Sequence, residues 1–108
     1  MLKTDKIYIA GHKGMVGSAI VKQLQSKGFN NILCQTHAEL DLCCQADVLS
    51  YLTSEKPDYI VLAAAKVGGI HANNTYPADF IYENLMLEAN VINGAYLSGC
   101  KNLIGRPR

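Results

Sequence analysis

The sequence predicts an α/β fold, a doubly wound parallel sheet with helices on both faces, and three observations predict it. Strand-like and helix-like segments alternate along the 108 residues, the order that right-handed βαβ crossovers produce. The run Tyr59-Ile60-Val61-Leu62-Ala63-Ala64 is apolar throughout, as a strand reads when both of its faces are covered. A glycine-rich turn, Gly11 to Gly17, lies between the first strand-like run and the first helical pattern.

Each element has its own signal. Lys6-Ile7-Tyr8-Ile9-Ala10 is a short apolar run closed by Gly11, which predicts a buried strand. The spacing predicts a helix from Met15 with Val16, Ala19, Ile20 and Leu24 on one face, stopped at Lys27-Gly28. Asn30-Asn31 turns the chain into a second strand, Ile32 to Gln35. A weaker helix is expected over Ala46 to Glu55 with Leu49 and Leu52 inward, ended by Lys56-Pro57-Asp58. The third strand is the apolar run from Tyr59, and a loop from Lys66 to Tyr76 follows.

The last helix begins at Pro77, with Asp79 and Glu83 near its positive end and Gly99 as its stop. Ile81, Leu85, Glu88, Ala89, Ile92 and Tyr96 follow the helical period. A second, partly apolar strip of Tyr82, Met86 and Asn93 reads either as a subunit contact or as a surface buried under further chain. Lys101-Asn102-Leu103-Ile104 starts a fourth strand. The whole reads as a βαβαβαβ unit.

Composition narrows the function. Apolar residues make up 49% and charged residues 18%, a globular balance. Ten Lys and Arg against nine Asp and Glu give a net charge of +1. No block of like charge stands out, which argues against nucleic acid or an anionic membrane as partner. The longest apolar run ends at Lys66, too short to span a bilayer. The N-terminus has no signal-peptide pattern, so a cytoplasmic protein is expected.

Cys34, Cys43, Cys44 and Cys100 form no C-x-x-C pair, and two are adjacent. That suits neither a zinc site nor a disulfide framework, and buried thiols are expected. His12, His37 and His71 lack ligand spacing, so no metal is expected.

The chemistry concentrates in Gly11-His12-Lys13-Gly14-Met15-Val16-Gly17, a G-x-x-G-x-x-G run between strand and helix. Gly11 makes the tight turn, Gly14 lets a pyrophosphate reach the backbone, and Gly17 permits close helix–strand packing. The helix N-terminus then offers unpaired N–H groups and partial positive charge to phosphates. A dinucleotide is therefore the expected ligand.

Which dinucleotide is decided where the second strand ends. An acid there binds the ribose 2′-OH and favours NAD. This sequence has Cys34-Gln35-Thr36-His37 instead, with Lys13 in the glycine loop. Lys13 with no competing carboxylate favours a 2′-phosphate, hence NADP(H), the alternatives being a solvated loop lysine at Lys13 and a surface histidine at His37, while Glu39 keeps NAD as the other choice. Asp41-Leu42 either lines an adenine pocket or caps the next helix. Ala63, Ala64 and Ala65 end the third strand at the carboxyl edge, where small side chains admit a ribose or simply pack closely.

Catalytic groups are missing from the pattern. Reduction of a carbonyl calls for a proton donor, often Tyr with Lys four residues on. The residues four beyond the six tyrosines are His12, Glu55, Ala63, Phe80, Met86 and Cys100. No G-x-S-x-G, Walker A or H-E-x-x-H is present either.

Two segments carry a family resemblance: Ile9 to Ile20 around the glycines, and Leu62-Ala63-Ala64-Ala65-Lys66-Val67-Gly68-Gly69-Ile70-His71-Ala72-Asn73-Asn74-Thr75-Tyr76-Pro77-Ala78-Asp79-Phe80-Ile81-Tyr82. The chain resembles the N-terminal part of the GDP-L-fucose synthases, extended short-chain dehydrogenase/reductases with a Rossmann domain. The resemblance implies NADPH-dependent 3,5-epimerisation and 4-reduction of GDP-4-keto-6-deoxy-D-mannose, a nucleotide sugar, to GDP-L-fucose. It implies cofactor contacts at Gly11, His12, Lys13, Gly14, Met15, Val16, Gly17, His37, Asp41, Leu42 and Ala63 to Ala65. Lys66 to Gly69 fall near the substrate side. It also implies a homodimer using the helix after Asn73-Asn74.

The departure from the family comes after Ile104. The family continues into a Ser-Ser-Cys segment with catalytic groups, whereas here Gly105-Arg106-Pro107-Arg108 follows. A truncated NADP-binding Rossmann domain over 1–108, without a substrate domain and inactive alone through a frameshift or early stop, is the expectation. The alternatives are a non-catalytic dinucleotide-binding or dimerising module, or a nonfunctional remnant.

Overall fold

Ile7, Tyr8, Ile9 and Ala10 are all buried, which puts β1 (Ile7–Ala10) at the heart of the sheet. The computed structural model describes residues 2–63, 77–100 and 102–105. Ala64, Ala65, the 66–76 loop and the Asp79 side chain, on which the sequence placed expectations, lie outside the described residues. The elements run β1, α1 (Met15–Ser26), β2 (Ile32–Leu33), α2 (Gln45–Glu55), β3 (Tyr59–Leu62), α3 (Pro77–Ser98) and β4 (Leu103–Ile104). The strands pair in the order β2-β1-β3-β4, every neighbour parallel. Ile7 faces Ile32 on one side and Tyr59 on the other, and Val61 faces Ile104.

The pleat splits the core in two. Ile7, Ile9 and Val61 point to one face, where Ile20, Val21 and Leu24 of α1 cover them. Tyr8, Ala10, Ile60 and Leu62 point to the other, against Val48 and Leu52 of α2 and Leu87, Val91 and Ala95 of α3. Helices on both faces explain why these strands show no polar alternation.

Five expectations need correction. β2 is shorter than Ile32 to Gln35: its ladder with β1 stops at Tyr8–Leu33, and Gln35 diverges to line a cleft. On α1 the inward stripe is Gly17, Ile20, Val21 and Leu24, while Val16 and Ala19 are exposed. Gly17 fixes this rotation by seating the helix against the Gly11 carbonyl. On α2, Val48 is buried beside Leu52 and Leu49 is only half-buried.

The largest correction is α3. Its inward stripe is Leu87, Asn90, Val91, Gly94 and Ala95, whereas Leu85 is 58% and Tyr96 80% exposed. Ile81 and Ile92 are exposed with them. The reason is steric. A Cβ on Gly94 would stand 2.8 Å from Leu52 Cδ1 and 3.4 Å from Val48 Cγ1, so α2 and α3 cross through small residues. The bulky stripe cannot occupy that crossing. The four cysteine thiols carry no disulfide and are half-buried rather than fully buried.

Candidate dinucleotide site

The chain runs from β1 to β2 on one side of the sheet and then crosses to β3 on the other. That reversal opens a crevice at the carboxyl ends of β1 and β3, the place where such sheets bind ligands. A cleft of about 230 Å³ occupies it.

The glycine loop forms its near side. Gly11 has φ +91°, a left-handed conformation that a side chain would strain. The Gly14 N–H donates to the Gly11 carbonyl at 3.2 Å, closing the turn. A Cβ on Gly17 would overlap the Gly11 carbonyl oxygen and approach His12 Cα to 3.0 Å. Gly17 is therefore required by the protein's own packing. A Cβ on Gly14 would meet Gly11 O at an ordinary 3.5 Å, so nothing among the described residues excludes a side chain there. Gly14 thus leaves the loop backbone open to a group seated on it.

Gly14 is also the N-cap of α1, with no side-chain cap and no acid in the first turn. The positive end of the helix is thus not neutralised by a local carboxylate, and an anion at the loop would complement it.

The opposite side is a tight turn. The Thr36 N–H donates to Glu39 Oε1 at 2.8 Å, the Glu39 N–H to Thr36 Oγ1 at 3.2 Å, and the Leu40 N–H to the Thr36 carbonyl at 2.8 Å. This reciprocal pair is the capping-box arrangement. The bond from the Thr36 amide, then that from its hydroxyl, hold the Glu39 carboxyl below its ordinary range, with His12 and Lys13 adding charge. Glu39 is bound to its own turn and does not line the cleft, while Thr36 and His37 do. Asp41 caps no helix: its Oδ1 accepts from the Cys43 N–H at 2.9 Å, and α2 starts with Cys44 as N-cap. His37 Nδ1 lies 3.9 Å from that same Asp41 oxygen.

Of the residues singled out from sequence, Gly11, His12, Lys13 and Gly14 meet His37, Asp41, Leu42 and Ala63 in this one cleft. Met15 (88% exposed) and Val16 point away from it, and Gly17 is buried beneath the loop. Sequence reasoning missed Gln35, Thr36, Leu40, Cys43 and Leu87. The T-x-x-E spacing at 36–39 was the available signal for the turn that brings Leu40 round. Leu87 required the correct face of α3.

Two tyrosines lie behind the site. The rings of Tyr8 and Tyr51 are 5.2 Å apart and tilted by 59°. Burial raises the Tyr8 hydroxyl above the ordinary tyrosine range, with Tyr51 and Cys34 adding to it, and burial likewise raises Tyr51. Both phenols stay protonated at working pH, and their ring contact gives them a packing role.

Comparison with known proteins agrees with this fold. The model of the NAD dependent epimerase/dehydratase family matches residues 7–105. The chain belongs to that family. GDP-L-fucose synthase 1 of Arabidopsis thaliana is 63% identical over 102 residues, covering 94% of this chain and 32% of the relative. A solved structure named DdhaC superposes with a TM-score of 0.94 at 57% identity, over 97% of this chain and 30% of that one. A GDP-mannoheptose C4 reductase from Campylobacter jejuni, solved with NADP bound, gives 0.91 at 46% identity, over 97% and 33%. The chain spans about a third of the length of the curated relatives it matches. No helix among the described residues is long and apolar enough to cross a membrane.

Proposed function

We propose that these residues are the NADPH-binding part of a GDP-L-fucose synthase. The observation that carries the reading is the convergence of Gly11 to Gly14, His37, Asp41 and Ala63 on one cleft beside an uncapped helix N-terminus. Two phosphate-bearing regions of a dinucleotide find matching chemistry. Loop amides and the α1 dipole suit the pyrophosphate. Lys13 and His37, with Glu39 held on its own turn, suit a ribose 2′-phosphate.

When bound, the reduced dinucleotide supplies the hydride for a 4-keto sugar. This chain's residues bind and orient it. No Tyr of these residues has Lys four positions on, so binding and orienting the cofactor is the role proposed for them. The exposed apolar strip of Ile81, Tyr82, Leu85 and Ile92 is read as the contact with a second copy. Four thiols without a disulfide suit a reducing, cytoplasmic setting.

Fluorescence titration of the purified chain with NADPH and NADH, alongside circular dichroism, tests the reading. NADPH is expected to bind at least about tenfold more tightly, as one charge-assisted contact to the extra phosphate provides. A folded chain that prefers NADH, or binds neither, rejects it.

A further inference from the structure

Asn90 is a buried polar residue on the inward stripe of α3, 5% exposed among apolar Leu87, Val91 and Ala95. An apolar residue is the ordinary occupant of such a position, because an unpaired amide there is costly. Instead its Nδ2 donates to the Leu42 carbonyl at 2.9 Å, 48 residues away. Leu42 sits in a turn closed by Cys44 N–H to the Asp41 carbonyl (3.0 Å) and Cys43 N–H to Asp41 Oδ1 (2.9 Å). Both of those bonds are internal to the turn. Asn90 fastens its middle carbonyl to α3, and a weaker thiol contact, Cys43 Sγ to the Glu83 carbonyl at 3.7 Å, runs beside it. Asp41, Leu42 and Cys43 line the cleft, as does Leu87 less than one turn before Asn90.

We propose that Asn90 is a positioning residue for the base of the bound dinucleotide. By holding the Leu42 carbonyl it fixes the Asp41–Cys44 turn against α3, so that the Asp41 carboxylate meets the base edge in one orientation. The inference rests on the dinucleotide-binding reading above. With pyrophosphate on the glycine loop and ribose beside Gln35 to His37, the base falls at Asp41 to Cys43. A carboxylate accepts a hydrogen bond from an amino group and repels a keto oxygen. A turn held in this way selects adenine over hypoxanthine, which carries the keto oxygen in place of the amino group.

Asn90→Leu keeps the size and removes the donor. Dissociation constants for NADPH and its hypoxanthine analogue are to be measured on the whole chain, native and variant, with circular dichroism on each. The variant is expected to bind NADPH about tenfold more weakly and the analogue within about twofold, so base selectivity collapses. A purely structural role would weaken both cofactors equally; that result, or unchanged binding of both by a folded variant, overturns the proposal. A native chain that binds neither cofactor overturns the dinucleotide reading itself, and this inference with it. Should Asn90→Leu fail to fold, the native chain decides. Adding 2′,5′-ADP must then shift the NMR signals of the Leu42 and Cys43 amides and the Asn90 side-chain amide. Shifts at Gly14 with none at those three overturn it.

Discussion

Gly17→Ala is expected to destabilise the fold by about 3 kcal/mol or more and to abolish NADPH binding, the range for forcing atoms into a packed site. The added methyl would overlap the Gly11 carbonyl oxygen, lie 2.7 Å from its carbon and 3.0 Å from His12 Cα. All three are backbone atoms, so no rotamer change relieves the clash. Relief requires α1 to move away from the loop, and Ile20, Val21 and Leu24 would leave Ile7 and Ile9 with it. Gly14→Ala is the informative control. Its methyl meets only an ordinary 3.5 Å contact, so stability should change by less than about 1 kcal/mol while NADPH affinity falls. Urea denaturation with cofactor titration on both variants checks the pair. Equal stability of the two would contradict the assignment of Gly17 to packing and Gly14 to ligand.

Lys13→Ala is expected to weaken NADPH about tenfold and NADH less than about threefold, with stability unchanged. A hydrogen bond to a charged group is worth about 1.5–3 kcal/mol, and the exposure of Lys13 takes it to the low end. The loss should shrink as salt rises, because the site is open to solvent. The split between the two cofactors is the point. A lysine that merely sits in a solvated loop would leave both affinities where they were. His37, 3.9 Å from the Asp41 carboxylate, is the second cation facing this part of the cleft when protonated. The double substitution Lys13→Ala with His37→Ala should therefore erase most of the preference for NADPH.

Much of this site was legible because its signals are local. A glycine run must lie between β1 and α1, and only three of its features matter: a left-handed turn at 11, a close contact at 17 and room at 14. Continuous apolar strands announced a sheet covered on both faces, and the parallel order followed. What was not legible depends on contacts distant in sequence. The face of α3 could not be read from periodicity, because apolar residues line both sides and the inward one is chosen by Gly94 meeting Val48 and Leu52. Choosing the bulky stripe instead hid Leu87 and Asn90 from the site. The end of β2 was overextended because Cys34 and Gln35 look like strand residues, and only the cleft tells where the ladder stops. Glu39 looked available to a ribose; its bonds with Thr36 take it out of the cleft.

The proposed function has a phosphorylated dinucleotide lie across one cleft, from the glycine loop to the Asp41–Cys44 turn. Amide chemical-shift mapping of the isotopically labelled chain during NADPH addition tests it most directly. Concentrated shifts are expected at Gly11 to Gly14, Gln35 to His37, Leu42, Cys43 and Ala63, with little change along the outer face of α3 at Leu85 and Tyr96. Shifts confined to that outer face, or a glycine loop that stays silent while NADPH binds, would contradict it.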